Sequence, residues 1–105
     1  MWTAWDRLEA VVAEPLRARA LRVGESALYR VAAPAGFAQR RHTHAGRTSV
    51  TWVQHGRIEY TVGPETRALG PGEIVTVEPG VEHQWRVLEN FEGYEAHLGG
   101  SLPGE

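Results

Sequence analysis

The chain contains no cysteine, no lysine and a single aspartate, Asp6, among its 105 residues. Without cysteine there is no disulfide framework, no thiolate metal site and no sulfur nucleophile. Without lysine there is no Schiff-base chemistry, and all 11 basic residues are arginine. Charge of one sign is scarce as well. The formal net charge is −2 and no acidic or basic block interrupts the chain, which argues against nucleic acid or a membrane surface as partner. No apolar run approaches the roughly 20 residues of a spanning helix. The N-terminus lacks a basic stretch followed by an apolar one. These absences describe a soluble cytoplasmic protein whose chemistry must come from His, Glu, Tyr, Arg or a metal.

Glycine and proline, by contrast, are plentiful and divide the chain into short runs. The length fits one domain, 1–105, with a single core. Residues 2–14 read as a short N-terminal helix. Thr3 is placed to cap it, Trp5, Leu8 and Val12 recur at helical spacing, and Pro15 ends it. From residue 16 to 98 the pattern is all β. Strand-like runs cover Leu16–Val23, Ala27–Ala33, Phe37–His44, Ser49–His55, Arg57–Val62, Glu73–Val77, His83–Leu88 and Gly93–Leu98. The turns between them include Ala45-Gly46, His55-Gly56, Gly63-Pro64, Gly70-Pro71-Gly72 and Pro79-Gly80. Such punctuation predicts a sandwich or barrel, and residues 99–105 read as a tail. The run Ser49–His55 is apolar on both faces (Val50 and Trp52 on one, Val53 on the other). Its outer face therefore needs cover, from the N-terminal helix or a second subunit.

Chemistry concentrates in His42-Thr43-His44. Two histidines one residue apart on a strand project to the same face, so their imidazoles can converge on one metal ion. His83, from another strand, can complete a facial set. The frame around them is specific. Gly36 is followed by five residues, His42-Thr43-His44, four residues, Ser49, six residues and Gly56; later come Gly72-Glu73, Glu78-Pro79-Gly80 and, after two residues, His83. This resembles the two motifs of the cupin superfamily over about residues 27 to 98. The resemblance implies a double-stranded β-helix, a small jelly-roll barrel with a metal-binding mouth. It carries ligand roles onto His42, His44 and His83 for Fe, Mn, Ni or Zn.

Two departures from the family pattern stand out. Ser49 occupies the place of the motif glutamate, and Glu78 replaces the first proline of the second motif's turn. Three neutral imidazoles leave a divalent ion its full +2 charge, which favours anionic chelating ligands. Arg40, in strand parity with His42 and His44, is placed to meet a substrate carboxylate. Ser49, Trp85 and His97 are further candidates for the pocket. His55 reads as a solvent-exposed hairpin residue, and Glu95 as a solvated side chain that only weakly recommends itself as a general base. The resulting expectation is a homodimeric, metal-dependent cupin that binds a small, anionic organic molecule. If it turns that molecule over, three-His dioxygenase or isomerase chemistry is the natural form. The alternative is a non-catalytic metabolite sensor with a weak or empty metal site.

Overall fold

A computed structural model describes residues 1–99, with the side chains of Val12 and Ala13 outside the description. The described residues form eight strands: β1 (Glu9–Ala13), β2 (Leu16–Val23), β3 (Ser26–Ala33), β4 (Ala38–His42), β5 (Arg47–Val62), β6 (Glu65–Leu69), β7 (Ile74–Val77) and β8 (His83–Gly99). All pairings are antiparallel, in the order β1-β2-β3-β8-β5-β6, with β4 on β8 and β7 on β5.

Two long strands organise the barrel. β5 and β8 pair along their whole length, from Arg47 opposite Gly99 to Val62 opposite His83. The ribbon they make is bent where the register shifts, around His55–Arg57 and Glu89–Glu92. One half carries β3 and β7, the other β4 and β6. Gly56 makes the bend possible. Its φ is +87°, and a side chain there would overlap the Asn90 carbonyl. The sequence expectation of a hairpin at His55-Gly56 is therefore corrected: this glycine kinks a continuous strand, and exposed His55 lies on the kink.

The bent ribbon folds its two inner faces onto each other. Val53, Ile58, Tyr60, Val77, Trp85, Val87 and Phe91 are buried between them and join Ala18, Val31 and Ala33 in one core cluster. Alternation along β8 is clean at its start, with His83, Trp85 and Val87 buried and Gln84, Arg86 and Leu88 exposed.

The expected helix over 2–14 is not formed. A single 3-10 turn, Trp5–Arg7, precedes β1, which pairs residue by residue with β2 from Glu9↔Ala20 to Ala13↔Leu16. The β-branched Val11-Val12 pair suits an extended ladder, and pairing with β2 outweighs a weak helical spacing. Pro15 consequently sits in the β1–β2 turn. On the outer face of β5 the cover that the structure shows for Trp52 is Tyr94 of β8, stacked at 5.2 Å, on which Trp5 of the 3-10 turn also packs at 5.8 Å. The expected tail over 99–105 lies outside the described residues from residue 100 onward, whereas Gly99 ends β8 and donates its N–H to Ser26 Oγ at 3.1 Å.

Candidate metal centre

The three histidines come from three different pieces of chain. His42 is the last residue of β4, His44 lies in the loop after it, and His83 opens β8 directly opposite His42. One candidate ligand nitrogen from each lies within 4.8 Å of those of the other two. Ring centroids are 4.1 Å apart for His42–His83, 4.9 Å for His42–His44 and 5.1 Å for His44–His83.

Backbone contacts hold the rings. His42 Nδ1 lies 2.7 Å from the Arg40 carbonyl and His83 Nδ1 lies 3.0 Å from the Val81 carbonyl. A ring that donates Nδ1–H to a carbonyl keeps its lone pair on Nε2, the form a metal requires. The loop bearing His44 is tied to the turn before His83, because Gly80 N–H donates to the His44 carbonyl at 2.9 Å. Gly80 has a φ of +80°, so the Pro79-Gly80 turn works both as a reversal and as a clamp between the two motifs.

Sharing a strand face is only part of why His42 and His44 converge, since His44 is beyond the strand. A register shift in β4 between Gln39 and His42 also changes what parity predicts. Gln39, opposite Trp85, accepts a hydrogen bond from the Trp85 indole N–H. Arg40 is exposed and offers the cluster its carbonyl, not its guanidinium. The expectation that Arg40 points inward is thus undone by the bulge. Trp85 is 4% exposed and packs between Phe37 and Phe91, as a core residue below His83.

Ser49 and His97 do face inward, opposite each other on β5 and β8. Ser49 is 2% exposed, and its hydroxyl has no hydrogen-bond partner. The His97 ring centroid lies 4.5 Å from that of His44 and 5.0 Å from that of Tyr29. Glu95, two residues before it, is the main surprise. Its side chain is 15% exposed, its Oε1 lies 3.7 Å from His97 Nε2, and Thr51 Oγ1 donates to it at 3.4 Å. Strand parity with His97 was the signal available for that orientation. Tyr60, stacked 6.2 Å from His83, keeps a buried hydroxyl near Ser49 and Thr51 without a well-formed bond to either.

Five buried polar atoms therefore lack partners in one region: Nε2 of His44, His83 and His97, Ser49 Oγ and Tyr60 OH. Leaving such atoms unpaired is costly, and a convergent set of imidazole nitrogens fits a divalent transition metal. Burial also favours the neutral form of His44 and His83. It lowers His44 to about 4, with neighbouring His97, His42 and His83 adding to the effect and Glu95 opposing it. His83 is lowered chiefly by burial, against the pull of the Val81 carbonyl. Burial raises the Tyr60 hydroxyl, with Glu95 adding to it.

These shifts set a pH dependence. The unfolded His44 imidazole titrates at 6.5 and the folded one at about 4. Between those values the unfolded chain takes up a proton that the folded chain refuses. The metal-free protein is expected to lose stability as pH falls from 6.5 to 4, with no further loss from His44 below 4. Urea midpoints across that window should fall less steeply for His44→Gln. Parallel profiles would refute this account of the cluster.

The sequence matches the Cupin_2 family, described as a cupin domain, over residues 29–92. No curated protein matches it. Among solved structures, KdgF from Halomonas sp. superposes with a TM-score of 0.81 at 18% identity, covering 90% of each chain. An RmlC-like cupin from Shewanella frigidimarina gives 0.83 at 17% identity, covering 93% of this chain and 89% of that one. A Bacillus subtilis oxalate decarboxylase structure concerned with Mn(II) centres gives 0.81 at 18% identity; the match covers 95% of this chain but 29% of that longer one. At these identities the likeness concerns the fold. Among the described residues no helix is long and apolar enough to cross a membrane.

Proposed function

This chain belongs to the Cupin_2 family, and from that premise we propose that it holds a divalent transition metal on His42, His44 and His83 and uses it to bind a small anionic chelating molecule. The convergence of three candidate ligand nitrogens within 4.8 Å carries this reading. The metal, when bound, supplies Lewis acidity toward a ligand oxygen. The chain supplies the rest. Carbonyls of Arg40 and Val81 orient His42 and His83, and the inward hydroxyls of Ser49 and Tyr60 offer hydrogen bonds to a molecule seated in the mouth.

Iron, manganese, nickel and zinc all suit imidazole donors to some degree, and the Mn(II) centres named for the Bacillus subtilis structure keep manganese in the set. Three-His dioxygenase or isomerase chemistry is compatible with such a site. Ser49 in place of a carboxylate favours the second reading, a non-catalytic metabolite sensor. A homodimer belongs to the proposal too. Its support is an apolar groove of about 290 Å³ that includes Leu21, Val23, Leu28 and Leu98 among its lining residues.

The test is titration of the Fe(II)- or Co(II)-loaded protein with diketones, catechols and thiols, followed by absorbance and oxygen uptake. Saturable spectral changes are expected with bidentate anionic ligands, and oxygen uptake separates a dioxygenase from a sensor. A loaded protein indifferent to every chelating anion would sink the proposal.

A further inference from the structure

A polar island on the inner face borders the three histidines. Ser49 stands opposite His97, and Thr51 opposite Glu95, in adjacent inward rows of β5 and β8. The next inward position on β5, Val53, is already apolar core. Ser49 and Thr51 are 2% and 3% exposed, and the Glu95 and His97 side chains 15% and 14%. Polar atoms buried this far cost stability unless something bonds them. Outside the triad, Ser49 Oγ, Tyr60 OH and His97 Nε2 have no partner among the described residues. Glu95 Oε1 accepts one long bond from Thr51 and faces His97 Nε2 at 3.7 Å, beyond hydrogen-bond reach. The island lies against the triad. The His97 ring is 4.5 Å from that of His44, Tyr60 stacks on His83, and Glu95 acts electrostatically on both His44 and His83.

We propose that this island selects the ligand: the molecule held at the mouth is a small hydroxylated carboxylate, with one hydroxyl beyond its chelating head seated between Glu95 and His97. The proposal rests on the metal reading above and names the class of molecule which that reading leaves open. A separation of 3.7 Å between Nε2 and Oε1 puts a single hydroxyl oxygen within hydrogen-bond reach of both. That hydroxyl donates to the Glu95 carboxylate and accepts from His97 Nε2–H, so one group satisfies both side chains. Thr51 holds Glu95 in place, and Ser49 Oγ and Tyr60 OH remain to bond further ligand oxygens. A catechol or a diketone places carbon where this wall offers hydrogen bonds, and leaves Glu95 and His97 without partners. A site built around a hydroxyl discriminates for that reason against molecules that lack it.

The experiment is calorimetric titration of the Zn(II)-loaded full chain with lactate, glycerate and threonate, which share a 2-hydroxycarboxylate head and add one hydroxyl at each step. Affinity is expected to rise by about tenfold or more at the step where the added hydroxyl first reaches Glu95 and His97. His97→Phe keeps a ring against His44 and Tyr29 but removes the nitrogen. It is expected to weaken the better-bound acid by about tenfold more than lactate. Glu95→Gln, which exchanges a charged acceptor for a neutral one, should shift the same ratio in the same direction. Equal losses for all three acids in both variants would overturn the placement of the hydroxyl. A flat series in the wild type would overturn the selection and leave chelation at the triad standing. Failure of all three acids where catechol binds would overturn it too, whereas failure of every chelating anion would overturn the metal reading as well. The wild-type series decides the matter even if a variant fails to fold.

Discussion

His83→Gln is expected to abolish stoichiometric metal binding while leaving a folded apo-protein. His83 is 1% exposed, opens β8, and faces His42 across a paired register position, so its nitrogen cannot be replaced by a neighbour's without moving the strand. Mutating residues that merely orient ligands costs about 10–100-fold in metal affinity, so deleting a ligand is expected to exceed about 100-fold. Glutamine roughly preserves the volume that alanine would leave as a cavity. Isothermal titration of chelator-stripped protein with Zn(II) or Mn(II) measures the loss, and circular dichroism of both apo-proteins checks the fold. Wild-type affinity in the variant would remove His83, and with it the proposed centre.

Gly56→Ala is expected to cost roughly 3–5 kcal/mol of stability, at the top of the range for single substitutions. Two terms add. A non-glycine residue at positive φ costs about 1–2 kcal/mol. The new Cβ would also overlap the carbonyl oxygen of Asn90 and lie 2.8 Å from that of Glu89, both backbone atoms in the kinked part of β8. At about 4–8 °C per kcal/mol for a domain of this size, Tm should fall by roughly 15 °C or more. Gly36→Ala is the control. Its φ is +92° and nothing lies within 4 Å of its Cβ, so only the backbone term applies. Equal losses in the two variants would show that the close approach at Gly56 contributes nothing.

How far the sequence speaks differs from one element to the next. β2 is read residue for residue as Leu16–Val23, because Pro15 and Gly24 bracket it. The histidine triad is readable from spacing, and its three members do meet in space. What escapes is geometry that departs from simple alternation. Gly56 looks like a turn, because the same positive φ serves hairpins and strand kinks alike. Arg40 was placed by parity that the shift between Gln39 and His42 breaks. β6 has no apolar alternation to announce it; of Glu65–Leu69 only Leu69 is buried, and the strand exists through pairing with β5. Glu95 looks solvated by residue type, yet its alternation with Gly93 and His97 places it inside. Composition cannot supply that distinction, since a half-buried carboxylate is set by its neighbours across the sheet.

The bent β5–β8 ribbon also fixes the order in which the centre can come into being. Its ends join residue 47 to residue 99 and residue 62 to residue 83, so ring-bearing positions meet only after long stretches of chain have closed. Such nonlocal pairing is slow to form, because closure entropy precedes any reward. Metal capture at the proposed site would thus be a late event, and the nascent chain would present imidazoles with little mutual reinforcement. A cell's pool of loosely held ions would meet the finished ribbon, and the ion would then lock its two free ends together at the mouth opposite the kink.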